Sequence, residues 1–249
     1  MRKGTFNKII RVGNIVFKLS LEHSSVAKEM LKLHSKNIKQ YEGDIRDVGI
    51  KTSKVYFAYS IDDKNLIVQE FINGMTIQEY FDSDNVSSSD KLKVFKKVVE
   101  MYKLSLSNEN LCLDWNLNNF VLNNNDIYYV DYVPALYKDK IQSINSNRLK
   151  QYQLSLLDKK IQMAGIISYA IMPFFNESKD NLYSIYNMMK QIIGEMLQVH
   201  FDRDDIEHVY LQKLSLLEKY LTSDMEKDDF LNEYNSISMS KTAYKKVRE

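Results

Sequence analysis

The hydrophobic pattern of this chain is strand-rich ahead of a connector at residues 70–74 and mainly helical behind it, and that division limits the folds open to it. Up to Phe71 the apolar residues alternate, as they do in strands with one buried face. Lys8, Ile10 and Val12 lead to a Gly13-Asn14 turn, and Ile15 to Leu19 returns, which predicts a β-hairpin. Lys54 to Ser60 and Asn65 to Ile72, separated by a polar turn, predict a second one. Between them, Glu22 to Asn37 has helical spacing, with Val26, Met30, Leu33 and Ile38 along one side. From Ser87 onward the period is helical. Ser87 to Asp90 offers N-caps for a helix reaching about Ser105, with Leu92, Phe95, Val99 and Tyr102 on one face. Further helices are expected from about Asn145 to Tyr220, punctuated at Pro173, then a weak one around Asp228 to Tyr234 and a polar end. A strand-rich front and a helical back predict the α+β class with two lobes, divided as 1–72 and 73–249.

Composition narrows the partners. A net charge of +1 gives no reason to expect nucleic acid or an anionic membrane. No apolar run is long enough for a membrane span, and the basic N-terminus lacks the apolar stretch of a signal peptide. The single cysteine, Cys112, excludes an internal disulfide and fits a reducing cytoplasm. The four histidines have no zinc-ligand spacing.

The segment LCLDWNLNNFVLNNNDIYYVDY, Leu111 to Tyr132, interrupts the helical half with two short strands, Phe120 to Leu122 and Ile127 to Val130. It spaces Asp114, Asn119 and Asp131 as phosphoryl transfer from a metal-bound nucleotide requires. One carboxylate orients or deprotonates a hydroxyl, a carboxamide holds magnesium, and a second carboxylate holds magnesium on the phosphates. A carboxylate ending a buried strand needs a compensating charge or donors, and a magnesium ion supplies that. The same chemistry needs a fixed cation near the phosphates. Lys18, at the end of a predicted strand, is the candidate, with Glu29 of the predicted helix as its partner. Taken singly, each has a plainer reading: a solvated lysine, a helix-surface glutamate, an Asn-rich loop.

In order and spacing these segments resemble the aminoglycoside phosphotransferase and choline kinase-like family, which has a protein-kinase-like fold. The resemblance covers roughly residues 4 to 137. It implies ATP and Mg2+ as cofactors and a hydroxyl of a small molecule as acceptor. It also implies that backbone N–H groups from Gly4 to Asn7 approach the phosphates, and that backbone groups of Glu70, Phe71 and Ile72 meet the adenine edge. Asp114 would be the catalytic base and Asn119 with Asp131 the metal ligands. Nothing after Asp131 resembles the segment with which protein kinases hold peptides.

The chain departs from the family at Cys112-Leu113, where a His precedes the catalytic Asp by two positions. That departure motivates a second reading, a pseudokinase that binds nucleotide or a protein partner without turnover. A third is an atypical protein kinase. A buried structural thiol is the plainer role for Cys112. The acidic group Asp202, Asp204, Asp205 and Glu207 would attract a cationic acceptor, or else simply begin a solvated helix.

Overall fold

The computed structural model describes residues 7–20, 37–61, 64–132, 136–142, 157–201 and 208–237. The predicted helix over 22–37, with Glu29, therefore lies almost wholly outside the described residues, as do Gly4 and the acidic group at 202–207.

Both predicted hairpins form. β1 (Asn7–Val12) and β2 (Ile15–Ser20) pair antiparallel around Gly13, whose φ of 58° suits glycine at a two-residue turn. β3 (Val55–Ile61) pairs with β4 (Lys64–Glu70), with a bulge between Val55 and Phe57. β4 also pairs with β2, which closes a four-stranded antiparallel sheet of order β1-β2-β4-β3.

Between the hairpins lies a helix that the alternation arguments pass over, α1 (Ile38–Asp47). Its signal is the spacing of Ile38, Tyr41 and Ile45, all buried, diluted by Gly43 at its centre and by five charged residues. Next come β5 (Met75–Thr76), α2 (Ile77–Asp82) and α3 (Ser88–Ser105). Ser87 and Asp90 start α3 by exchanging bonds: the Ser87 hydroxyl donates to the Asp90 carboxylate and accepts the Asp90 N–H. On α3, Phe95, Val99 and Tyr102 are buried as predicted, while Leu92 is half-buried.

β6 (Leu111–Cys112), a 3-10 turn (Leu117–Asn119), β7 (Phe120–Asn123) and β8 (Asp126–Tyr129) follow. β7 and β8 form the predicted hairpin, with Asn124 at φ 55° in its turn, and β5 extends them to a sheet of order β5-β7-β8. β9 (Leu136–Tyr137) pairs with β6 and leads into α4 (Lys138–Gln142).

The remaining described chain is helical: α5 (Lys159–Ala170), α6 (Lys179–Leu197), α7 (Val209–Thr222) and α8 (Lys227–Ser236). Asp158, Ser178 and His208 cap α5, α6 and α7 with side-chain acceptors. Pro173 sits in a 3-10 turn between α5 and α6, and Gln198, at φ 55°, ends α6 in a left-handed cap. The helical run is thus punctuated at Pro173, as expected, and interrupted again after Leu197. On α6 Leu182, Ile185, Tyr186, Met189 and Ile193 form the buried stripe, while Tyr183 and Met188 are exposed. α8 is anchored firmly. Its Phe230 and Tyr234 are buried in an aromatic cluster with Phe175 and Tyr220.

This is the predicted α+β class, an antiparallel sheet at the front and a helical remainder. The chain divides into two compact units. The first holds residues 1–77, 104–114 and 118–141; the second holds 78–103, 115–117 and 142–249. Every described residue of the predicted site belongs to the first unit.

Candidate functional site

Lys18 lies on β2, paired across the sheet with Ile67 of β4 and Ile9 of β1. Alternation puts it on the same face as Val16, Ile67 and Gln69, which is the buried face. Its ammonium donates to the Val130 carbonyl at 2.7 Å and to Asp131 Oδ1 at 3.1 Å. The lysine side chain is 8% exposed and that of Asp131 25%. A cation on the front sheet and a carboxylate from a segment 113 residues away thus form one ion pair. Asp131 is the carboxylate that Lys18 meets among the described residues. Glu42 of α1, also buried, accepts instead from Thr52 at 2.7 Å and Arg46 at 3.1 Å.

Asp131 is held in place by the backbone around it. Tyr129 exchanges bonds with the strand-like stretch before β3: its N–H donates to Lys51 O and its carbonyl accepts from Ser53 N. Val130 N–H donates to Asn119 O at 2.9 Å, which brings Asp131 within one residue of the Asn119 backbone. Asn119 is buried at the end of its 3-10 turn, and its Nδ2 donates to the Asp114 carbonyl at 3.2 Å. That bond ties the amide to the loop through its nitrogen. Asp114 itself is exposed.

The donor set suits magnesium. Asn119 Oδ1 and the second oxygen of Asp131 are hard oxygen atoms that could hold such an ion, since magnesium keeps several waters while taking only one or two protein ligands. No group of three or more His, Cys, Asp or Glu side chains is arranged for a metal among the described residues.

Several residues of this site have no sequence signature. Gln69 reads as a polar interruption of an apolar strand, yet it is buried. Its Nε2 donates to Val130 O at 2.9 Å and to Ser53 Oγ at 2.8 Å, so Val130 O accepts from both Gln69 and Lys18. Gln69 Oε1 has no partner. The Tyr132 hydroxyl donates to Ser53 O and Tyr129 O. Tyr41 of α1 donates to the Cys112 carbonyl at 2.5 Å, two residues ahead of Asp114. Beneath the loop Tyr129 is fully buried. Its phenol is pushed well above the usual range, first by burial and then by the neighbouring Tyr41, Asp114 and Asp131. Cys112 is a buried thiol: burial pushes it up to about 12, and its Sγ donates to Asn110 O at 3.7 Å.

The connector is partly committed to the sheet. Glu70 N–H donates to Lys54 O, and Phe71 N–H donates to Asn14 O at 2.8 Å. The Arg11 guanidinium covers the Phe71 ring, 3.5 Å from its centroid. Of the three expected adenine-facing residues, Ile72 alone keeps its N–H out of backbone bonding with other described residues. Gly74 is required by close approach: a Cβ there would overlap the Leu122 carbonyl oxygen. Asn7 enters β1 at its first position, paired with Ser20.

No family model matches the chain, and no curated protein matches it. Among solved structures, the PknI kinase domain of Mycobacterium tuberculosis is similar over 94% of this chain and 92% of that chain. The identity is 11% and the TM-score 0.40. A likeness of that size carries no weight for function, so the chemistry has to come from the residues described above.

Proposed function

We propose that the chain is a phosphotransferase that uses ATP and Mg2+ and takes a small-molecule hydroxyl as acceptor. One observation carries this reading: the Lys18–Asp131 ion pair, with Asn119 tied to both the Asp131 segment and the Asp114 loop. Two parts of the chain distant in sequence, Lys18 on β2 and the segment from Asp114 to Asp131, thereby supply a cation, two oxygen donors and an exposed carboxylate in one unit. Lys18 would hold nucleotide phosphates, and Asn119 and Asp131 would hold the metal. Magnesium, when bound, neutralises charge developing on the transferred phosphoryl group. Asp114 would orient the acceptor hydroxyl and take its proton. Gly4 to Asn7 would supply backbone donors to the phosphates, and the Ile72 N–H would meet the adenine edge. Lys18 would exchange part of its bond to Asp131 for a phosphate oxygen, with Glu29 as a further carboxylate partner.

The test combines binding and turnover. Mg-ATP at ~100 times its dissociation constant should stabilise the fold by about 2.7 kcal/mol, read as a rise in Tm. Asp114→Asn should keep that rise and lose transfer to a panel of hydroxyl acceptors. An unchanged Tm at millimolar Mg-ATP would sink the nucleotide site. A full rise with no transfer to any acceptor, protein substrates included, would favour the pseudokinase, for which Cys112 in place of His is the motivating feature.

A further inference from the structure

The outer face of the front sheet is apolar and uncovered. Register puts Ile10, Phe17, Val68 and Phe57 in one row across the four strands. The next row on the same face is Lys8, Leu19, Leu66 and Tyr59; at the other end lie Val12, Ile15 and Glu70. None of these is buried, and the largest exposures are Val12 at 61%, Tyr59 at 52% and Phe57 at 48%. The opposite face carries Val16, Lys18, Ile67 and Gln69, all buried. Strands with one face in the core ordinarily place polar residues on the other. Here both faces are apolar, so the outer one is built for contact.

We infer that this face is the interface of a homodimer, packed sheet to sheet against a second copy of the chain. Area supports a partner of this size. At these exposures the face presents roughly 700 Å² to solvent, and two copies would bury about 1,400 Å² in total, inside the usual range for specific complexes. Charge supports a self-partner. By register the face carries three charged residues, Lys8 on β1 and Lys64 on β4 towards one end and Glu70 on β4 at the other. A two-fold axis along the diagonal from Val12 to Tyr59 sets Lys8 of each copy against Glu70 of the other. The strands then cross at about 90°, a recognised mode of sheet packing. The same axis brings the two Tyr59 side chains together, beside the Phe57 rings on which they stack. This inference is independent of the chemistry proposed above.

Sedimentation velocity of the full chain across a concentration series tests it. The expected species has twice the chain mass of 29.3 kDa, and Val12→Glu with Phe57→Glu should convert it to monomer at unchanged far-ultraviolet circular dichroism. Should that variant unfold, Lys8→Glu is expected to weaken the dimer and Lys8→Glu with Glu70→Lys to restore it. Tyr59→Cys should give a symmetric dimer with a short bismaleimide, because Cys112 is buried. A monomer at ~100 µM, above the dissociation constants of ordinary specific interfaces, would overturn the inference. So would a dimer that survives the face variants, or capture of the face by an unrelated protein in preference to self.

Discussion

Asp131→Asn, measured without nucleotide, tests whether the Lys18 ion pair exists in solution. Two unit charges at the observed 3.1 Å attract by roughly 5 kcal/mol at an effective dielectric of about 20, and desolvation offsets most of that. The cost of the substitution is therefore set by what is left behind. Lys18, only 8% exposed, would lose its counter-charge and keep neutral acceptors alone, Val130 O and the amide oxygen of the substituted side chain. Stripping one partner from a fully buried pair costs about 3–5 kcal/mol, and the partial exposure of Asp131 lowers this to about 2 kcal/mol. That corresponds to a fall in Tm of about 4–8 °C for a chain of this size. Lys18→Met removes the buried charge itself. Asp131 then hydrates and Val130 O keeps its Gln69 donor, so the expected loss is about 1 kcal/mol or less. The assay is urea unfolding at pH 7 with EDTA, repeated in 0.5 M salt, where a buried pair is weakly screened. If Asp131→Asn lies within about 0.5 kcal/mol of wild type, or Lys18→Met is the more costly change, the reasoning fails.

Two glycines should respond in opposite directions to alanine. Gly74→Ala drives a Cβ into the Leu122 carbonyl and should cost about 2 kcal/mol or more. Gly43→Ala, in α1 with nothing within 4 Å, should stabilise by about 0.5–1 kcal/mol; thermal melts of both variants decide. Cys112, with its thiol pushed to about 12 from 9.0, should react with iodoacetamide at pH 8 about 1000-fold more slowly folded than unfolded. The same shift predicts alkaline destabilisation. The folded state holds the thiol proton after the unfolded state has released it, so stability is intact below pH 9 and falls between 9 and 12. The slope is about 1.4 kcal/mol per pH unit for each such group. Buried Tyr129, Tyr132 and Tyr234, raised chiefly by burial, add in the same direction above their ordinary value of 10.0. A flat urea midpoint from pH 8 to 11 would contradict this.

The two front hairpins, the start of α3 at Ser87 and the β7–β8 hairpin were legible in the sequence because their signals are local. Alternation, a glycine turn and an N-cap each act within a few residues. Spacing alone also singled out Asp114, Asn119 and Asp131. What stayed hidden depends on partners far along the chain. Helix α1 forms although Gly43 lies at its centre, since Tyr41 and Ile45 are buried in the first unit. Gln69 enters the site because Ser53 and the Val130 carbonyl satisfy its amide. The apolar stripe of α6 follows the neighbours it packs against, leaving Tyr183 and Met188 exposed. A boundary at residue 72 follows the order of elements, whereas the compact units follow strand pairing, which draws 104–114 and 118–141 into the first. Sequence therefore determined the element types and the candidate carboxylates, through local sterics and periodicity. Only the tertiary structure decided that Lys18 meets Asp131, because that pairing depends on the β2–β4 register and on the Tyr129 bridge to Lys51 and Ser53.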